Sequence, residues 1–261
     1  MKSITSRENA QYKELKHLAT SSQARRKAGR TLLDGVHLCE AWLQLRGHPE
    51  QCIVSETGLH NPEVASIVAG LEAEHAHCLC LPDALYAALS QVENGVGVMF
   101  LVATPQRDVP AALTVNAVLL DNVQDPGNVG SILRSAAAAG IKEVYCSPGT
   151  AFCWSPKVLR AAMGAHFVLD IFENVALLPL LQGAQIATLA TSGYATQRLY
   201  DADLRQPVAW VFGHEGQGVS DELLSAARQT VVIPHLGKVE SLNVAACAAV
   251  CFFEQVRQNQ V

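Results

Sequence analysis

The chain has 261 residues, 49% of them hydrophobic, and a formal net charge of −5, enough for one large or two medium domains with apolar cores. No apolar run reaches the ~18–20 residues needed to span a bilayer, and the polar start Met1-Lys-Ser-Ile-Thr-Ser-Arg7 is not a signal peptide, so a soluble, cytoplasmic protein is expected. The eight cysteines include no Cys-x-x-Cys pair, and a chain of this size needs no disulfide staples, which fits a reducing compartment.

Charge is unevenly spread. Residues 1–30 hold eight Lys/Arg against two Glu, a net +6, which leaves −11 for the remainder. A basic leader on an acidic body suggests a polyanionic partner, RNA or DNA; a solvated helix face is the plain alternative. Arg7, Lys13, Arg25, Arg26 and Lys27 are the candidate RNA contacts.

In chain order, residues 4–20 read as a helix with Tyr12, Leu15 and Leu18 on one side, and the polar, basic stretch 21–30 as a mobile connector. Thr31-Leu-Leu-Asp-Gly35 reads as a strand and turn, Val36–Leu45 as an amphipathic helix, and Ile53-Val54 as a strand. Asn61–Gly70 reads as a helix with Pro62 in its first turn, and Val96–Ala103 as a third strand. Alternating elements over 31–104 predict a small α/β domain. The polar stretch Thr104–Pro110, with two prolines and no periodicity, is the expected domain boundary.

Glu74-His75-Ala76-His77-Cys78-Leu79-Cys80 carries metal-ligand types. On a strand, however, His75 and His77 face opposite to Cys78 and Cys80. Four convergent ligands are then lacking, and no metal is expected. Cys247 and Cys251 are expected to face the core as small hydrophobes.

From about residue 112 to the end the pattern is regular. Apolar runs at 117–120, 144–146, 186–190, 208–212 and 231–233 alternate with helical stretches at 130–139, 156–164, 175–183 and 220–227. That pattern predicts a parallel sheet covered on both faces, with ligands gathered at the carboxyl ends of its strands. Three unusual stretches fall there. Asp121-Asn-Val-Gln-Asp-Pro-Gly-Asn-Val-Gly-Ser-Ile-Leu-Arg134 leaves one strand and enters a helix, with Asn128 at the turn. It has neither a Walker Gly-Lys-Ser/Thr nor a Gly-x-Gly-x-x-Gly, which weakens any nucleoside triphosphate or dinucleotide reading. Phe212-Gly-His-Glu-Gly-Gln-Gly-Val-Ser220 has glycines that let backbone approach a ligand. Ile233-Pro-His-Leu-Gly-Lys-Val-Glu-Ser-Leu-Asn-Val-Ala-Ala246 ends a strand and starts a helix running to about Arg257, with Ser241 as the expected N-cap.

In this order and spacing the three stretches closely resemble the motifs of the SpoU/TrmH branch of the SPOUT RNA methyltransferases: Asn-x-x-Asp-Pro-x-Asn-x-Gly-x-x-x-Arg, Phe-Gly-x-Glu-Gly-x-Gly and Ile-Pro-x-x-Gly-x-x-x-Ser-Leu-Asn-Val. Ser155–Phe167 is similar to the segment between the first two, and the likeness covers about residues 115–258. Upstream, Ser6-Arg-Glu-Asn, Lys13 and Leu32-Leu-Asp-Gly-Val-His37 resemble the family's leader and substrate-binding domain more weakly. Asp34 stands where a Glu is more usual, and Ala10 where a Pro is common.

The resemblance implies S-adenosylmethionine-dependent methylation of a ribose 2′-hydroxyl in structured RNA, rRNA before tRNA. It further implies a deep trefoil knot in the C-terminal SPOUT domain, and a homodimer with its active site near the subunit interface. By motif position Gly213, Ile233 and Leu242 would hold the cofactor through backbone groups, with Thr191 and Asn243 nearby. Asn128, Arg134, Glu215, Ser241 and Asn243 would form the reacting centre. The sulfonium of the cofactor is already electrophilic, so positioning carries most of the load and the chemistry asks for no metal. A cationic Arg134 that fixes a substrate phosphate and stabilises the developing alkoxide is physically easier than a guanidine base. The competing reading is an RNA-binding protein of the same fold without catalysis. Such a protein would be expected to have lost Arg134, Ser241 or Asn243, and all three are present.

Overall fold

A computed structural model describes residues 1–92, 95–238 and 241–260. It falls into two compact units, Met1–Gln106 with Trp154–Leu159, and Arg107–Cys153 with Arg160–Val261.

The first unit is built on a five-stranded sheet in the order β1-β4-β3-β5-β2. Its strands are β1 (Lys2–Ser3), β2 (Arg30–Asp34), β3 (Gln51–Ser55), β4 (Cys78–Leu81) and β5 (Val98–Ala103). β5 runs antiparallel to β2 and β3; the β1–β4 and β3–β4 pairs are parallel. Alternate strand residues Leu32, Ile53, Leu79, Leu81, Met99 and Leu101 share one buried cluster with Tyr12, Leu15 and Leu18 of α1 (Ala10–Thr20), Ala24 of α2 (Ser22–Ala28) and Leu85 and Leu89 of α5 (Asp83–Leu89). The intervening strand positions point the other way, and α3 (Val36–Arg46) and α4 (Pro62–Ala73) pack on the same sheet.

Three expectations are corrected here. The first helix starts at Ala10, because the Asn9 side chain accepts from Gln11 N–H and Tyr12 N–H and so caps it. Residues 2–3 ahead of it join the sheet. Residues 22–28 are helical: Ser21 caps them through Ala24 N–H, and Gly29 ends them at φ +61°, a left-handed turn that suits glycine. The basic leader is therefore part of the first unit's core. Arg25 in particular is only 5% exposed, and its guanidinium donates to the carbonyls of Leu18 and Ala19 at 2.5 and 3.2 Å. It ties α2 to the C-terminus of α1 and is not presented to RNA. Lys13 pairs with Glu8, whereas Arg7, Arg26 and Lys27 are exposed. Arg25→Ala is accordingly expected to cost roughly 1–3 kcal/mol of stability, the penalty for orphaning buried acceptors. Denaturant melts should report that loss, while the salt dependence of RNA binding stays unchanged.

His75 lies in a turn at φ +58°, Glu74 pairs with His48, and only Cys78 and Cys80 enter β4. Among the described residues no three His, Cys, Asp or Glu side chains converge as a metal site would require.

The second unit is an all-parallel seven-stranded sheet, β10-β12-β9-β11-β6-β7-β8. The strands are β6 (Ala117–Leu120), β7 (Glu143–Cys146), β8 (Asp170–Phe172), β9 (Ala187–Thr191), β10 (Gln197–Arg198), β11 (Val208–Phe212) and β12 (Gln229–Val232). One face packs Leu119, Tyr145, Ala190 and Val211 against Leu180 and Leu181 of α8 (Leu177–Gln182) and Leu223 of α9 (Asp221–Ala226). α6 (Pro126–Ala138) and α10 (Val244–Asn259) pack against each other. α10 is fixed to the sheet by an edge-on Phe212–Phe252 contact with centroids 5.6 Å apart, and by Trp210 Nε1–H donating to Gln255 Oε1 at 2.9 Å. α7 (Pro156–Ala162) lies at the expected place. Short strands β8 and β10 were not expected from the sequence. Among the described residues no helix is long and apolar enough to cross a membrane.

Candidate active site

All three motif stretches leave carboxyl ends of parallel strands, β6, β11 and β12, and the second unit brings them together there. The first stretch becomes helical earlier than its glycines suggest. Asp125 caps α6 by accepting from Asn128 N–H at 2.8 Å, and Pro126 occupies the first helical turn. Asn128 is thus inside the first turn of α6. Arg134 lies six residues further on, about 9 Å along the helix and roughly 120° around it. It is exposed, and no hydrogen bond or ion pair is formed by it among the described residues.

In the second stretch, Gly213 is buried with no room for a side chain. A Cβ there would lie 2.1 Å from backbone atoms of Gly218 and Val219. The loop folds tightly over it, with Gly218 N–H donating to the His214 carbonyl at 2.8 Å and His214 Nδ1 accepting from Gly216 and Gln217 N–H. In the third stretch the cap of α10 is Asn243 rather than Ser241. Asn243 Oδ1 accepts from Ala245 and Ala246 N–H at 2.9 and 3.2 Å. Val239 and Glu240 lie outside the described residues.

One chain of hydrogen bonds joins the three stretches. Asn243 Nδ2 donates to Asn128 Oδ1 at 2.8 Å. Asn128 Nδ2 donates to Glu215 Oε1 at 3.0 Å. The Glu215 carboxylate also accepts from Asp125 N–H at 3.0 Å and Gln124 N–H at 3.2 Å. The direction of this chain is forced. A carboxylate only accepts, so the Asn128 amide must turn its NH₂ to Glu215 and its carbonyl to Asn243, whose own carbonyl then faces the helix N–H groups. Negative charge at Glu215 is thereby relayed to the positive end of α10.

Partial burial works to raise the Glu215 pKa, but the donors from Asn128, Asp125 and Gln124 together outweigh it and hold the carboxyl below the usual glutamate range. A depressed folded pKa contributes stability that is complete above the ordinary value of ~4.3 and is lost as pH falls through the lower folded value. Glu215→Gln replaces an acceptor by a group that must donate at one end. The stability difference between wild type and Glu215→Gln is expected to be full near neutral pH, to begin shrinking near pH ~4.3 and to be gone only once pH has fallen through the lower folded value, as followed by thermal melts across pH. A difference independent of pH would exclude the charge.

Beside this chain lies an open cavity of about 260 Å³. Of the expected cofactor residues, Thr191, Ile233 and Leu242 line it, together with Ser241. Gly213 does not; it lets Gln217, Gly218 and Val219 form one wall. Asn243 also sits outside the lining, next to Leu242. Not foreseen were Tyr194, His235 and Cys247 on the cavity wall, and Asp121, whose carboxylate accepts from Ser220 N–H at 2.9 Å. Cys247 is half-buried, unlike Cys251, which is fully buried as expected. Its position one turn after Asn243 was the available signal. Apolar Val219, Leu224, Val231 and Ile233 beside loop backbone suit a flat heteroaromatic group with polar edges.

A match to the SpoU rRNA Methylase family spans residues 116–253, over half of the chain. The chain belongs to this family. Relatives named as RNA methyltransferases also match over nearly the full length. An uncharacterized tRNA/rRNA methyltransferase of Synechocystis sp. is 35% identical over 98% of this chain and 94% of its own. The 23S rRNA (guanosine(2553)-2′-O)-methyltransferase RlmP of Bacillus subtilis is 29% identical over 97% and 98%. A crystal structure of an RNA 2′-O ribose methyltransferase superposes with a TM-score of 0.83 at 32% identity, covering 99% of this chain and all of that one. The second and third stretches line the cavity, and the first is bonded to them through Asn128.

Proposed function

We infer that the protein transfers the methyl group of S-adenosylmethionine to a ribose 2′-hydroxyl of ribosomal RNA. The observation that carries this reading is the bonded chain Asn243–Asn128–Glu215, which ties all three motifs together beside a cavity lined by Thr191, Ile233 and Leu242. The cofactor supplies an electrophilic methyl group on a sulfonium. The loop backbone around Gly218, the strand end at Ile233 and Leu242 would hold its adenosine. Asn128 and Asn243 are locked by their own hydrogen bonds, so they position the incoming ribose without reorganising. Ser241, exposed at the cavity, orients the hydroxyl. Arg134 binds a substrate phosphate and stabilises the 2′-oxygen as its proton leaves to solvent or phosphate.

Arg134 does not share a helix face with Asn128, so within one chain it stands apart from the bonded centre. A homodimer resolves this, with α6 and α10 at the interface and Arg134 of the partner subunit completing the site. Support comes from the outer side of α10, where Phe253 is 49% exposed, and from Leu242 just before it, at 40%. A deep trefoil knot around the third motif belongs to the same reading. The first unit would bind the RNA around the target, using exposed Arg7, Arg26 and Lys27, and the protein would act in the cytoplasm. An inactive RNA-binding protein is the alternative, and the intact Asn128, Arg134, Glu215, Ser241 and Asn243 argue against it.

The test is methyl transfer from tritiated S-adenosylmethionine to rRNA and tRNA prepared from cells lacking the protein. Label is expected in rRNA, with little in tRNA. No transfer to either acceptor would overturn the enzymatic reading.

A further inference from the structure

The loop after β9 and the edge strand β10 have no role in the site described so far. Burial along them alternates: Tyr194, Thr196, Arg198 and Tyr200 are exposed, while Ala195 and Gln197 are half-buried and Leu199 is buried. Only Gln197-Arg198 is strand; Tyr194 stands in the turn before β10, and Tyr200 in the short 3₁₀ turn Leu199–Asp201 after it. Tyr194 is 100% exposed and Tyr200 53%. The start of the segment is fixed: Ser192 N–H donates to the Val231 carbonyl at 3.0 Å, Tyr194 N–H to Ser192 Oγ at 3.3 Å, and Ala195 N–H to the Ser192 carbonyl at 3.3 Å. A hydrogen-bonded turn thus holds a fully solvated aromatic ring at the wall of the cofactor cavity. Arg198 forms no ion pair among the described residues. Of the two nearby carboxylates, Asp203 is engaged by Arg205 at 2.7 and 2.8 Å, and exposed Asp201 makes no ion pair with Arg198 among the described residues.

Exposed aromatic rings on either side of a cation without an ion pair match single-stranded nucleic acid, whose bases stack and whose phosphates repeat along the chain. We propose that Tyr194, Arg198 and Tyr200 form a track for the RNA strand flanking the target nucleotide, with a neighbouring base stacked on Tyr194 and a phosphate on Arg198. This rests on the RNA-methyltransferase reading above and names where the catalytic unit itself grips its substrate. Tyr194, the member of the track that lines the cavity, holds the base beside the target and so adds to RNA affinity.

Full-length wild type, Tyr194→Ala, Tyr194→Phe and Arg198→Ala are compared in three measurements. These are the quenching of a short single-stranded RNA containing 2-aminopurine, the KM and kcat for rRNA at saturating cofactor, and cofactor affinity with oligomeric state. Tyr194→Ala is expected to abolish the quenching and raise KM for rRNA about tenfold with kcat little changed. Tyr194→Phe, which keeps the ring, should recover most of both. Arg198→Ala should flatten the salt dependence of binding by about 0.7 in log–log slope. Unchanged quenching and KM in Tyr194→Ala, or a phenylalanine as poor as alanine, would overturn the track. Losses that follow a drop in cofactor affinity or a change of oligomeric state would also overturn it, assigning this face to the cofactor or to a second copy. If wild type quenches and Tyr194→Ala does not, yet no rRNA is methylated, the track stands and the catalytic reading falls.

Discussion

Arg134→Ala is expected to lower the turnover of methyl transfer by ~10²-fold or more, the scale seen when a group that stabilises developing charge is removed, with cofactor affinity nearly unchanged. Both halves follow from its place. Arg134 is exposed on α6 and is not among the residues lining the cofactor cavity, so cofactor binding should not feel its loss. It contributes nothing to the buried face of α6, where Ile132, Leu133 and Ala136 hold the helix to the sheet, so folding should not feel it either. What remains is charge: a guanidinium stays protonated at every working pH and can face a phosphate and a nascent alkoxide together. Arg134→Lys keeps the charge but loses the fork, so it should recover part of the rate. Single-turnover rates with isothermal titration of S-adenosylmethionine decide the matter, and near-normal turnover in Arg134→Ala would remove it from the reaction.

Gly213→Ala should have the opposite signature, losing cofactor affinity by roughly 5- to 150-fold, as overpacking costs of ~1–3 kcal/mol imply. The added methyl would sit 2.1 Å from the backbone carbonyl of Gly218 and the nitrogen of Val219. Backbone cannot rotate aside as a side chain can. Relief requires the 213–219 loop to open, which breaks the Gly218–His214 bond at 2.8 Å and withdraws the cavity wall formed by Gln217, Gly218 and Val219. The β11 core beneath is anchored by fully buried Trp210 and Phe212, so the fold should persist. Calorimetric titration with circular dichroism as a folding control reads both, and wild-type affinity would show that the wall does not depend on the glycine.

How much of this was legible in the sequence varied with the physical origin of each feature. The central strands β6, β9 and β11 announced themselves as apolar runs, because a parallel strand buried on both faces has no polar side to show. The edge strands β8 and β10 did not. Gln197-Arg198 is a strand only because it pairs with Val231 and Val232, a fact held in the partner and not in the segment. Helix α2 is seven residues long, too short for periodicity to register, and its basic composition read as solvated chain. Its buried Arg25 is held by the carbonyls that Leu18 and Ala19 offer across the turn.

The helix starts are instructive for a different reason. Ser241 and Asn243 are both good caps by residue type, so local preference could not choose between them. The choice is tertiary: only Asn243 can accept from α10 with its carbonyl while giving its amide to Asn128. The motif residues were all nameable from the family resemblance, whereas the direction of the hydrogen-bond chain that couples them depends on Glu215 approaching from another strand. Tyr194 was missed because a lone tyrosine carries no pattern until the fold brings it to a cavity, and Cys247 because its spacing from Cys251 read as a core face.

Ribose 2′-O-methylation is tested most directly by alkaline hydrolysis of rRNA labelled by the purified protein with tritiated S-adenosylmethionine. A methylated 2′-oxygen cannot attack the adjoining phosphate, so the label should remain in alkali-resistant dinucleotides at a discrete position. Label released entirely in mononucleotides, as methylated bases would be, would contradict it.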